Sequence, residues 1–309
     1  MSLIPAVSLP LDAPGHSWSG SERGQALLVP GAGAEINLRL EGAGPPVLLL
    51  HGYPQNHRIW RRCLPMLAEH HTCIMPDLRG YGDSSKPDPG PDAAAYAKRA
   101  MAADMAAVLD RLGIGACAVV GHDRGARVAH RLALDHPERV TRLAVIDILP
   151  TIWHDRNPSR VFSNGYWHWP FLAAGESAEV LLRLDPGAFL EGRLRAWSRT
   201  PDAFAAEDLA DYRRCFSNPD CIRATCGDYR ASAGIDLDHD GDDLGRLLPM
   251  PLLTAWGTRG FIGTHWDPPS VWREFARTVR AAPIDCGHFP AEECPAETAV
   301  ALLAFLTAD

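Results

Sequence analysis

The chain carries no excess of positive charge. Over 309 residues the formal net charge is −8, so a nucleic-acid partner, which ordinarily meets a basic face, is not expected. A small anionic substrate stays open, because a few local arginines can invert the field inside a pocket. No run approaches the ~18 consecutive apolar residues of a membrane span. The opening stretch "MSLIPAVSLPLDAPGHSW" has no basic segment ahead of a long apolar one, so it does not read as a signal peptide. The eight cysteines, at 63, 73, 117, 215, 221, 226, 286 and 294, include no Cys-x-x-Cys pair. They read as thiols in a reducing compartment. A soluble cytoplasmic protein without metal or cofactor is expected. Internal repeats and low-complexity tracts are also absent.

Two metal-like motifs fall short. "DLDHDGDDLGRL", from Asp236, begins like a calcium loop but has Leu247 where the bidentate glutamate belongs, and reads as a solvated acidic loop. His70-His71 has no partners at metal-ligand spacing and reads as surface.

What is present is a large apolar fraction, 46%, enough to build a sizeable core. Residues 1 to 33 are rich in Pro, Gly and Ser and read as an irregular arm. Glu35 to Leu40 alternates like a half-buried strand. "PPVLLLHG" is a continuous apolar run closed by a turn, as in a strand buried on both faces. "HTCIMPD", "ACAVVGHD" and "TRLAVIDILP" read as further strands. Helices are expected from Tyr96 to Leu112 and from Arg124 to Asp135, the second stopped before Pro137. Residues 151 to 249 show no clear strand pair and read as a helical insertion. "MPLLTAWG" and "APIDCGHFP" restore strands, and "PAETAVALLAFLTA" closes the chain as a helix. Alternating strands and helices imply an α/β fold with a mostly parallel sheet flanked by helices. The core spans residues 1–150 and 250–309, and a helical cap (151–249) lies over the strand ends where open α/β sheets bind ligands.

The chemistry centres on "VVGHDRGARVAH", residues 119 to 130. Gly121-His122-Asp123-Arg124-Gly125 fits the Gly-x-Ser-x-Gly frame of a strained strand-to-helix turn that exposes its middle side chain. That residue is Asp123. A carboxylate can displace a leaving group from saturated carbon and form an ester, which water must then cleave with help from a general base. Chain order places the acid and then the histidine after the nucleophile. His288 in "DCGHFP" fits the histidine. The turn after "LLTAWG" is "GTRG", without a carboxylate, so the acid is assigned to Asp147 in "LAVIDILP". His51 in "LHGYP" reads as shaping its loop. The backbone N–H groups of Tyr53 and Arg124 are candidates for an oxyanion hole facing Asp123. Arg124 and Arg127, three apart at a helix N-terminus, share a face that favours an anion.

On these residues the chain resembles the α/β-hydrolase superfamily and, within it, the fluoroacetate (haloacetate) dehalogenases. The likeness is densest in "HGYPQNHRIW", "DLRGYGDSSKP", "GHDRGARVAHRLALDHPERVTRLAVIDILPT", "YWHWPFLA" and "CGDYRA". It implies that Arg124 and Arg127 hold a substrate carboxylate. It further implies that His168, Trp169 and Tyr229 cradle the departing halide, that Trp197 walls the pocket and that the protein is a homodimer. Tyr53 departs from the family, standing where Phe is common. The expected reaction is hydrolysis of a small 2-haloacid by water to a 2-hydroxy acid and halide. An epoxide hydrolase using the same Asp123 is the alternative, and a non-catalytic binding protein is disfavoured by the intact Asp123, Asp147 and His288.

Overall fold

In the computed structural model, which describes residues 26–200 and 202–308, the apolar runs pair into one eight-stranded sheet. Its strands are β1 (Ala26–Pro30), β2 (Glu35–Glu41), β3 (Pro46–Leu50), β4 (Thr72–Pro76), β5 (Cys117–His122), β6 (Val140–Ile146), β7 (Leu252–Gly257) and β8 (Val279–Ile284), in the order β1-β2-β4-β3-β5-β6-β7-β8. β1 and β2, and β2 and β4, pair antiparallel; every other neighbouring pair is parallel. The central strands are continuous β-branched and leucine runs because helices cover both faces. Val47 to Leu50 and Leu143 to Ile146 are wholly buried.

α1 (Lys98–Arg111) and α2 (Arg124–Asp135) join the strands on either side of β5. Eight helices of the described residues lie between β6 and β7, from Thr151 to Asp242. Four of them matter for the site: α3 (His168–Ala173), α4 (Pro186–Trp197), α5 (Pro219–Ser232) and α6 (Ile235–Asp242). α5 is buried along most of its length and packs on α3. The chain ends on α7 (Pro295–Leu306). No helix of the described residues is long and apolar enough to cross a membrane.

Several expectations need correction. The supposed irregular arm contains β1, which pairs with β2 from Ala26↔Arg39 to Pro30↔Glu35. Its Gly-rich "GAGA" is the turn of that hairpin, closed by Gly31 N–H donating to Ala34 O at 2.7 Å. Residues 1–25 of the arm lie outside the described residues. β2 does not alternate, since Ile36, Asn37 and Leu38 are all buried. Asn37 is tolerated inside because its amide donates to Asp77 at 2.8 Å and its backbone N–H to Ser84 Oγ at 2.9 Å. The acidic stretch from Asp236 is not a solvated loop: it begins in α6, and three of its acids meet groups from the core, while Asp238 and Asp242 are exposed. Asp236 accepts from the backbone N–H of Lys98, and Asp240 and Asp243 pair with Arg131. His71 is buried rather than on the surface, its ring turned onto Pro45 O at 3.2 Å.

Candidate active site

β5 ends at His122, α2 begins at Arg124, and Asp123 between them has φ 47° and ψ −117°. Such a backbone costs on the order of 1–3 kcal/mol and persists only where its surroundings enforce it. Close approach enforces it here. A Cβ on Gly125 would stand 2.2 Å from His51 O, and one on Gly121 would stand 2.5 Å from Ala126 Cα. The Asp123 turn thus wedges against the loop after β3. That loop donates the Tyr53 N–H to Asp123 Oδ1 at 2.9 Å. Of the two N–H groups expected to form an oxyanion hole, only this one is hydrogen-bonded to Asp123 among the described residues. His51 does shape its loop, with Nε2 accepting from Leu78 N–H at 2.9 Å.

Asp147 follows β6 and His288 follows β8, so parallel strands bring them beside Asp123 at one end of the sheet. Asp147 Oδ2 holds His288 Nδ1 at 2.6 Å, and its Oδ1 accepts the Gly257 N–H at 3.0 Å. The absence of a carboxylate in "GTRG" is explained: that turn supplies a backbone donor to the acid from the neighbouring strand. His288 Nε2 stands 3.8 Å from Asp123 Oδ2. Burial would lower the His288 pKa, but the hydrogen bond and charge of Asp147, then the charge of Asp123, outweigh it and raise the pKa above 6.5. Burial likewise pushes Asp123 up, yet His288, His122, Arg124 and Arg127 together bring it below 3.8. Burial raises Asp147, only partly offset by His288.

Glu293 was not legible as a site residue. Its carboxylate accepts N–H groups from Gly287 at 2.9 Å, Phe289 at 2.9 Å and Arg199 at 2.7 Å. It thereby fixes the backbone on both sides of His288 and ties that loop to the segment after α4. The His288 N–H donates to Trp197 O at 3.1 Å, and His122 Nε2 donates to His288 O at 2.7 Å.

The two arginines differ. Arg124 is fully buried and anchored to α5: Nε donates to Asp228 Oδ2 at 3.0 Å, and Nη2 to Asp228 Oδ1 and Ser232 Oγ, both at 2.6 Å. Its Nη1 is buried without a partner. Arg127 donates through Nη1 to Leu149 O at 3.0 Å and Thr151 Oγ1 at 2.6 Å, while its Nε is buried and unpartnered. No carboxylate of the described residues lies within ion-pair distance of Arg127, and neither arginine pairs with Asp123 or Asp147. Burial and the adjacent Arg124 depress the Arg127 pKa. Both guanidiniums face Trp169, at 5.9 Å for Arg124 and 4.7 Å for Arg127.

Helices α3, α4 and α5 close the site with aromatic rings. Arg124 lies 4.3 Å from the centre of the Tyr229 ring. His168 lies 4.7 Å from Trp197 and 5.8 Å from Tyr229, and Tyr53 contacts Tyr229 at 5.4 Å and Trp197 at 6.1 Å. The Tyr229 hydroxyl, the Trp169 indole N–H and His168 Nε2 are not taken up by hydrogen bonds to other described residues. Burial lowers the His168 pKa to about 3, so its ring is neutral. Tyr166, which the sequence did not single out, packs on Trp169 at 5.4 Å and His168 at 5.6 Å. Burial, then the charges of Asp147 and Asp123, holds its phenol protonated.

This geometry has close counterparts. Residues 45–179 match the family model described as the alpha/beta hydrolase fold. The chain is 42% identical to a fluoroacetate dehalogenase of Burkholderia sp over 88% of this chain and 90% of that protein. It is 36% identical to a soluble epoxide hydrolase of Corynebacterium sp. (strain C12) over 82% and 87%. Among solved structures, ALR0039 of Nostoc sp PCC 7120 is 46% identical, with a TM-score of 0.91, covering 92% of this chain and 98% of the other. Epoxide hydrolase CorEH is 31% identical, with a TM-score of 0.84, over 91% and 98%. The strained carboxylate turn, the sheet order and these full-length relatives together make the chain a member of the α/β-hydrolase family, and a hydrolase.

Proposed function

We propose that the protein hydrolyses small 2-haloacids to 2-hydroxy acids and halide through an Asp123 ester. The observation that carries this reading is Arg127, a buried cation beside the nucleophile with no carboxylate partner among the described residues. A buried unpaired charge is costly, and a substrate carboxylate would supply the missing anion, with Arg124 Nη1 as a second donor. Asp123 Oδ2 attacks C2, the carbon–halogen bond breaks, and the halide leaves with the bonding pair toward His168, Trp169 and Tyr229. Donors gathered where charge develops only in the transition state favour departure. Oδ1, on the Tyr53 N–H, becomes the ester carbonyl oxygen. His288 then takes a proton from water, the resulting hydroxide adds to Asp123 Cγ, and the acyl–oxygen bond breaks as the imidazolium returns its proton to the departing alkoxide, releasing the 2-hydroxy acid while the regenerated Asp123 carboxyl loses its proton to solvent. Asp147 orients the ring and stabilises the imidazolium.

A second reading, epoxide hydrolysis, draws support from Tyr166 and Tyr229, which both pack on the Trp169 ring, and from the Corynebacterium relative. Fluoride and chloride release from a panel of haloacids, with the matching haloacetamides and an epoxide in parallel, separates the two. Acids should react and amides should not; turnover of the epoxide alone overturns the dehalogenase reading.

A further inference from the structure

The Arg124 guanidinium is one of four charges in a buried cluster that reaches from α1 to α6. Asp228 in α5 is wholly buried and receives four donors on its two oxygens. Arg124 contributes Nε and Nη2, Tyr81 its hydroxyl at 2.6 Å, and Lys98 its Nζ. Arg124 Nη2 also donates to the Asp228 carbonyl at 3.0 Å. Lys98 further reaches Asp236 Oδ2 at 3.3 Å, and Ser232 Oγ donates to the same oxygen at 3.1 Å. Lys98 and Arg124 are thus balanced by Asp228 and Asp236.

The two carboxylates offset the charges of Lys98 and Arg124 and fix the guanidinium in orientation. A bidentate fork on Asp228 uses the Nε and Nη2 edge, so the remaining Nη1 edge is the one left for a ligand. Asp228 is also the residue before Tyr229, whose ring lies over the same guanidinium. The guanidinium that the Asp228 carboxylate holds is thus the one against which the neighbouring Tyr229 ring lies. We propose that Asp228 is a positioning residue: it holds Arg124 so that Nη1 meets the substrate carboxylate, with Tyr229 in register opposite. This rests on the reading above that Arg124 and Arg127 bind a carboxylate.

The test must separate positioning from simple neutralisation of Lys98. Asp228→Asn removes the charge, and Lys98→Met with Asp228→Asn removes both members of that pair and restores the charge balance. For each variant and the wild type, three quantities are measured: the thermal midpoint, kcat and KM for chloroacetate, and the Kd of acetate by calorimetry. Misplacing a binding group by about 1 Å can cost up to about 100-fold. Asp228→Asn should raise KM and the acetate Kd by at least about tenfold, with a smaller fall in kcat, because the contact is made in ground and transition states alike. The double variant should recover thermal stability but not KM or acetate affinity. Recovery of all three together would make Asp228 a counter-ion of Lys98 and overturn the proposal. Unchanged acetate affinity in Asp228→Asn would overturn it as well. A wild type that binds acetate but turns over no haloacid would sink the dehalogenase reading and leave this inference standing. A wild type that neither binds acetate nor turns over a haloacid would sink both.

Discussion

His288 Nε2 and Asp123 Oδ2 stand 3.8 Å apart, beyond hydrogen-bond reach. An ionised carboxylate needs no base to attack, and Asp123 is held ionised by the charges around it. On the proposed ester route the histidine serves the water and not the attacking carboxylate. This division of labour should appear in the pH dependence of the two steps. The raised His288 pKa means its neutral, basic form is lost as pH falls through a value above 6.5. The lowered Asp123 pKa means its carboxylate stays ionised to below 3.8. Rapid-quench measurement at pH 5 should show a first-turnover burst of halide close to that at pH 8, followed by a steady state at least about tenfold slower, since the base form falls tenfold per pH unit. A burst and steady state that decline together would place His288 in the first step.

Arg127 should be the more demanding of the two arginines toward anions, because Arg124 is already saturated on one edge by Asp228. Arg127→Met should cost about 2–5 kcal/mol in kcat/KM for a haloacid. Acetate at about 100 times its Kd should stabilise the wild type by about 2.7 kcal/mol and leave Arg127→Met unmoved. Equal thermal shifts in the two proteins would remove Arg127 from anion binding.

Glu293 gathers three backbone N–H groups around the His288 loop. Glu293→Gln keeps the shape but leaves a single accepting oxygen, so at least one buried donor loses its partner. Each such loss costs about 1–3 kcal/mol. Denaturant unfolding should record a loss of that size, and the halide burst should persist while turnover slows. A variant with wild-type turnover would limit Glu293 to stability.

The parts of the site that were legible in the sequence are those written in local pattern. The elbow is a glycine frame with an abrupt change from strand to helix periodicity, and Arg124 to Asp135 proved to be the helix residue for residue. Asp147 and His288 could be placed because each directly follows an apolar strand run, and parallel pairing carries such residues to one end of the sheet. Asp228 and Lys98 could not be read this way. They lie 130 positions apart, and their meeting depends on how α5 packs against the turn that leads into α1. The same holds for the acids of α6, which looked solvated because their cations, Lys98 and Arg131, come from distant helices. The hairpin of β1 and β2 was hidden because its turn chemistry resembles that of an irregular arm.

The origin of the oxygen in the product separates a covalent route from a general-base one. If Asp123 Oδ2 forms the ester and water adds to Cγ, the first 2-hydroxy acid released carries an oxygen that came from the protein. A single turnover in heavy-oxygen water should then label Asp123 and leave the product unlabelled, and later turnovers should pass the label on. The Tyr53 N–H at 2.9 Å from Oδ1 is placed to stabilise the oxyanion that forms when water adds. His288→Asn removes the base for that addition but leaves Asp123 and the arginines in place. It should release about one equivalent of halide and stop, as expected of a trapped covalent intermediate. Peptide mass spectrometry should then find Asp123 heavier by the carboxymethyl group when chloroacetate is the substrate. If instead the label enters the product in the first turnover and no adduct accumulates in His288→Asn, Asp123 is a base toward water, and substitution by the carboxylate is excluded.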